Sequence, residues 1–161
     1  MTYALSTGLL NHYFTWQALR AAALAQVLTV GLDALLPAAA VSDPAPRTVL
    51  DTLVQAAFSE AVDPLWRLWI EAVEAAPTDP AIADVLARAN SAFVDRIAAC
   101  LARGVELGVW RCPDPDGSAF RLGALHDGLV GMLLSGLPGL TRTAAITHLR
   151  TAHSLECPPV G

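Results

Sequence analysis

Apolar residues recur at three- and four-residue steps through most of the chain. The clearest series is Ile82, Val85, Leu86, Ala89, Phe93, Ile97, Leu101 and Val105, which is one face of a helix by its period. Asp79–Pro80 ahead of it pairs a capping residue with a proline at the first helical position, and Gly108 supplies the stop. A helix from 79 to about 107 follows, roughly 42 Å long at 1.5 Å per residue. Similar punctuation divides the rest. Ser6 opens a short helix to about Tyr13, and Thr15–Leu36 is a long apolar block stopped by Pro37. The proline-rich stretch 37–46 reads as a loop, and helices follow over about 46–59 and 63–76. The segment CPDPDG, residues 112–117, reads as a turn, with Ser118 capping a helix to about Ser135. Thr141 caps the last helix, which ends before Pro158–Pro159. No run of four to eight residues alternates as a strand does, and no repeat of 20–50 residues is present. The pattern predicts an all-α fold of six or seven helices.

Composition agrees. The chain is 161 residues, 54% hydrophobic and 16% charged, too apolar for intrinsic disorder. Alanine and leucine dominate it, and both rank high in helix propensity. All ten basic residues are arginine, and the net charge of −5 excludes a generally basic nucleic-acid or anionic-membrane binder. Arg20 is the only basic residue ahead of Arg47. Cys100, Cys112 and Cys157 are too scattered for a disulfide framework or a CxxC metal pair, which points to a reducing cytoplasm. The segment 18–41 is interrupted by Arg20, Gln26, Thr29 and Asp33, so no membrane crossing is expected.

The segment Leu5–Phe14, LSTGLLNHYF, resembles the recognition helix of the TetR family of bacterial regulators, in the form closest to choline-responsive repressors. The long helix after it, the Trp66/Trp69 pair, the 79–107 helix and two final helices with Asp127-Gly128-Leu129 fit the same family. The resemblance spans essentially the whole chain. It implies a helical bundle in which residues 1–20 are part of a helix-turn-helix, with a recognition helix at about 6–13. Residues 21–157 are then a ligand-binding and dimerisation domain. It further implies that Ser6, Thr7, Gly8, Asn11, His12 and Tyr13 meet operator DNA, since the second helix of such a motif lies in the major groove. The family places two more helices ahead of this motif, so the match begins within the helix-turn-helix. It also has a lysine shortly after it, where Phe14 is followed here by Thr15-Trp16-Gln17. With Arg20 alone nearby, few phosphates are neutralised, and the sequence as written is expected to bind DNA poorly.

By the same resemblance the Trp66 helix borders an effector cavity. Trp66 and Trp69 form either an aromatic wall for a flat or quaternary ammonium molecule or ordinary core. Phe93, Trp110 and Met132 are further pocket candidates, with core packing, or for Trp110 a lid over the bundle end, as the plainer role. Glu71 and Glu74 read as a solvated face. Gly123, Gly128, Gly131 and Gly136 are costly inside helices and suggest close helix approach. With Leu122, Leu125, Leu129 and Leu133 of one helix and Ile146 and Leu149 of the next, Gly128 is expected at a two-fold dimer interface.

Histidines 12, 126, 148 and 153 form no metal-binding pair, and His126 and Asp127, adjacent on a helix, are expected to point about 100° apart. No nucleophile motif or phosphate loop supports an enzyme, and no cofactor or metal is implied. The expectation is therefore a cytoplasmic homodimeric regulator, most simply a repressor, whose partners are itself, operator DNA and an unidentified small-molecule effector. The alternative is a ligand-binding or dimerising protein of the same descent that no longer binds DNA.

Overall fold

The computed structural model describes residues 15–42 and 45–160. Thr15 caps the first helix, α1 (Trp16–Leu35), its hydroxyl accepting from the Ala18 N–H at 3.1 Å. Ala21, Leu24, Leu28, Leu32 and Leu35 line its buried face at helical spacing. By length and a mean hydropathy of 1.6, Trp16–Ala40 would pass for a membrane span. Its inner face is instead committed to α3 (Asp63–Ala75) and α4 (Pro80–Glu106). At Gly31 the Leu65 side chain of α3 lies against the α1 backbone: a Cβ there would come within 2.6 Å of a Leu65 methyl and would have to push that side chain aside.

The proline-rich connection contains a 3-10 turn, Ala38–Ser42, before α2 (Pro46–Ala57). A second 3-10 turn, Glu60–Val62, precedes α3. Asp79 caps α4 through Ala81 and Ile82 N–H, as its sequence predicts. The helix stops at Gly108, whose φ of 67° suits glycine. Then come α5 (Pro115–Leu134) and α6 (Arg142–Glu156), the latter capped by Thr141.

Six α-helices among the described residues match the sequence expectation, with one displaced start. The residue that caps α5 is Asp114, which accepts from the Gly117 N–H at 3.0 Å, and Pro115 takes the first helical position. Ser118 lies one turn inside the helix and is buried. Its hydroxyl donates to Glu156 at 2.8 Å instead of capping.

The centre of the bundle is α4, roughly 40 Å long at 1.5 Å per residue. Its N-terminal half packs with α1 and α3 around Leu24, Leu28, Ile82 and Val85. Its C-terminal half packs with α2, α5 and α6 around Leu101, Leu122 and Leu149. Arg96 ties α4 to the end of α1, donating to the Leu36 carbonyl and pairing with Asp33, both at 2.7 Å. After α4 the chain folds back under Trp110, which is 1% exposed and donates its indole N–H to the Leu101 carbonyl at 2.9 Å. The C-terminal tail straps this turn through Arg111 N–H to Pro158 O and Val160 N–H to Val109 O.

α5 and α6 are joined at one end by a charge-assisted cluster. Arg121 grips Glu156 through two bonds of 2.6 Å, and Ser118 adds the third. The Arg121 guanidinium first, and the Ser118 hydroxyl second, hold the Glu156 carboxyl at about 2 against an ordinary 4.5. The folded state thus keeps Glu156 ionised where the unfolded chain takes up a proton. Its stabilisation is complete above about pH 4.5 and is lost as pH falls toward about 2. Urea unfolding across that range should be less steeply pH-dependent in Glu156→Gln, while an unchanged slope would remove Glu156 from the account.

Candidate functional site

A partly open cavity of about 170 Å³ lies where α2, α4, α5 and α6 converge. Leu50, Leu53, Val54 and Ala57 recur at helical spacing on α2, and Phe93 and Ile97 sit a turn apart on α4. Leu122 and Leu149 come from α5 and α6. These side chains give an apolar wall. Polar groups stand at the same space: Arg47 and Asp51 of α2, His126 of α5, and Arg150 and His153 of α6. Asp51 and Arg150 pair at 3.1 Å.

His126 is 3% exposed and sits among three rings, with centroids at 4.8 Å to Trp66, 5.3 Å to Phe58 and 5.7 Å to Phe93. The expectation that His126 and Asp127 point apart does not hold. His126 Nδ1 and Asp127 Oδ1 are 3.0 Å apart. Adjacent helical side chains do leave at about 100°, but the ring and the carboxylate together are long enough to close that angle. The other ring nitrogen, Nε2, is buried and has no hydrogen-bond partner. His153 repeats the pattern: its Nε2 is likewise buried and unpartnered. Burial, and then the nearby Arg47 charge, hold the His153 imidazole below its ordinary range, so the neutral ring is favoured.

A smaller space of about 40 Å³ lies on the other side of Phe93, lined by Leu32, Leu35, Leu65, Trp66, Trp69 and Asp127 among others. Phe93 therefore lines both spaces. The aromatic trio read from the sequence, Trp66, Trp69 and Phe93, does come together here. The other two pocket candidates do not join it. Trp110 is core, edge-on to His153 at 5.1 Å and outside both spaces, and Met132 is 43% exposed on α5. The indole N–H of Trp66 is committed to the Ala57 carbonyl at 2.8 Å.

Of the residues assigned to the dimer interface, Leu122, Leu129 and Leu149 are buried within the protomer. Leu125, Leu133 and Ile146 are half-buried, and Gly128 is exposed. The exposed stripe of α5 is instead Phe120, Ala124, Gly128 and Met132, at four-residue steps. Glu71 and Glu74 are exposed, as read. Ser6, Thr7, Gly8, Asn11, His12 and Tyr13 lie outside the described residues. The division at 20–21 falls inside α1, which is continuous there.

Sequence reasoning missed the polar half of this cavity. In the sequence His126 reads as a neighbour of Asp127 and, with His153, as a candidate metal ligand, Asp51 as one carboxylate among those on polar faces or caps, and Arg47 and Arg150 carry no motif. The available signal was a histidine on the apolar face of α5, between Leu122 and Leu129, which is costly to bury without a purpose.

A family model described as "BetI-type transcriptional repressor, C-terminal" matches residues 46–156. Among solved structures, a TetR-family transcriptional regulator from Rhodococcus sp. is similar at a TM-score of 0.74 and 23% identity. That alignment covers 91% of this chain and 78% of the other, and it supports the fold. No curated protein sequence matches. The family model spans more than half of the chain and takes in all four helices that wall the cavity, and the chain belongs to the TetR family of transcriptional regulators.

Proposed function

We propose that the protein is an effector-responsive repressor, in which the 170 Å³ cavity between α2, α4, α5 and α6 receives a small molecule and a homodimer binds operator DNA. The observation that carries the reading is an apolar cavity with a few polar side chains, Arg47, Asp51, His126, Arg150 and His153, converging on it. That combination is the usual form of a small-molecule site. In this reading Ser6, Thr7, Gly8, Asn11, His12 and Tyr13 carry the operator contacts. Effector binding favours a spacing of the two DNA-binding heads that misfits the operator, a shift between populated states.

Dimerisation is supported by the exposed stripe on α5. A Cβ at Gly128 or Gly131 would meet nothing within 4 Å. Nothing among the described residues requires glycine at these two positions, although each costs helix stability of about 0.5–1 kcal/mol against alanine. A second copy of α5 lying close against them gives the glycines a purpose, as small residues permit close helix approach. Leu155, 79% exposed on α6, adds apolar surface.

The test uses protein purified from its own chromosomal locus, mixed with DNA from around that locus. The expected result is a retarded dimer–DNA complex, displaced by the same DNA and not by unrelated sequence. Dimers with no sequence-selective binding would leave the second reading, a ligand-binding protein that no longer acts on DNA.

A further inference from the structure

We infer that the cavity takes a small monocarboxylate with an apolar body of about one ring, its carboxylate paired with Arg47 at the opening. The inference rests on the reading of this cavity as the effector site and names its ligand class. Polarity divides with depth. Leu53, Val54, Ala57, Ile97, Leu122 and Leu149 line the space and are all buried, while Arg47, Asp51, Arg150 and Ser154 are exposed. The helices set this division. On α2, Arg47 and Asp51 stand one turn apart beside Leu50 and Val54, and on α6 Arg150 and Ser154 stand one turn apart beside Leu149. A guest therefore turns its apolar part inward and its polar part outward. A dry apolar cavity of about 150 Å³ holds one benzene ring, and this one measures about 170 Å³.

Charge decides what the outward part is. Asp51 and Arg150 offset each other at 3.1 Å. Arg47 reaches only the Val109 carbonyl, at 3.5 Å, which is long for a hydrogen bond, and no ion pair holds it among the described residues. Burial, and then the Arg47 charge, keep the His153 ring below its ordinary range, so it adds no further cation. The opening is left with one positive charge in excess. A carboxylate matches it in sign, in size of charge, and in the planar fork that a guanidinium offers to two oxygens. A dianion exceeds it, and a neutral group leaves the guanidinium to water. An ammonium group meets two arginines where the Asp51 carboxylate is already engaged.

Calorimetric titration of the full chain with phenylacetate, phenylacetamide and phenethylammonium tests this, because the three share a ring and differ in charge. At low salt phenylacetate is expected to bind about fivefold more tightly than the amide, the worth of a partly solvated ion pair. The ammonium should bind more weakly than either. Salt at about 0.5 M should remove most of the preference for the acid. Arg47→Gln, at an exposed position, should bring the acid down to the amide and leave the amide unchanged. Histidine spectra of the unaltered protein give a second readout. A carboxylate set against Arg47 offsets the charge that helps hold the His153 ring down. The His153 titration should therefore move up with phenylacetate and stay in place with the amide. Equal binding of acid and amide, a preference for the ammonium, no binding of the three, or an acid preference that survives Arg47→Gln would each overturn the assignment. Phenylacetate bound through Arg47 with operator affinity unchanged would refute the effector reading and leave the ligand class standing. Operator release by another compound, with phenylacetate not bound, would do the opposite.

Discussion

Trp110→Ala is expected to lower the melting temperature by about 6–20 °C, from a loss of roughly 3–5 kcal/mol at 2–4 °C per kcal/mol for a chain of this size. The indole is the largest side chain buried to this degree, at 1% exposure. It is held in place by the Leu101 carbonyl and edge-on contact with His153. Its removal leaves a void under the turn after α4 and takes away what the C-terminal strap closes over. Gly104 gives the companion substitution. A Cβ there would overlap the Nε1–Cε2–Cζ2 edge of the indole, so Gly104→Ala cannot be absorbed without moving a ring fixed on both sides. Both variants should unfold at lower denaturant concentration with an unchanged slope. Wild-type midpoints for both would mean the turn repacks freely.

Gly128→Arg is expected to convert dimer to monomer in sedimentation and weaken operator binding by about 10²–10⁴-fold, the effective-concentration advantage of two linked heads. The site is favourable for the experiment because the protomer leaves open space around a Gly128 side chain. Thermal stability measured at concentrations where the wild type is already monomeric should therefore not fall. Gly128→Ala separates the two effects further. It should stabilise the isolated protomer by up to about 1 kcal/mol through helix propensity while loosening the dimer. A monomeric wild type, or dimers unaffected by arginine, would remove α5 from the interface.

The helices were legible because their ends carry local chemistry. Asp79 before Pro80, Thr141, Thr15 and Gly108 act on their own turns, and the period of the α4 residues needs no knowledge of what they pack against. The displaced start of α5 shows where such signals compete. Asp114-Pro115 and Ser118 are both good caps, and in the fold the Ser118 hydroxyl goes to Glu156, 38 residues on at the end of α6. Faces were harder to read than ends. Leu122, Leu129 and Leu149 look alike in the sequence whether they turn to their own core or to a partner, and the protomer buries all three. The exposed stripe passes through Phe120 and Met132, which composition alone would place inside. The cavity was least legible, since it arises from what α2, α4, α5 and α6 fail to fill. Of its wall only Phe93 was visible, Trp66 and Trp69 belonging to the smaller space, while its polar half depends on residues 47–51 meeting residues 126–153 across the fold.

The Arg96 tie has a mechanical consequence. It sits on α4 between Phe93 and Ile97, both of which face the cavity, and it grips only the far end of α1. The 20 residues of α1, about 30 Å in length, are packed on α3 and α4 from Ala21 onward, and Arg20 adds a 3.7 Å pair with Asp79 near the start of the helix. Held at both ends, α1 moves only as α4 moves: a tilt of the pair by about 10° about the Arg96 end carries the start of α1 through about 5 Å. A molecule in the cavity that left α4 still would leave α1 still as well.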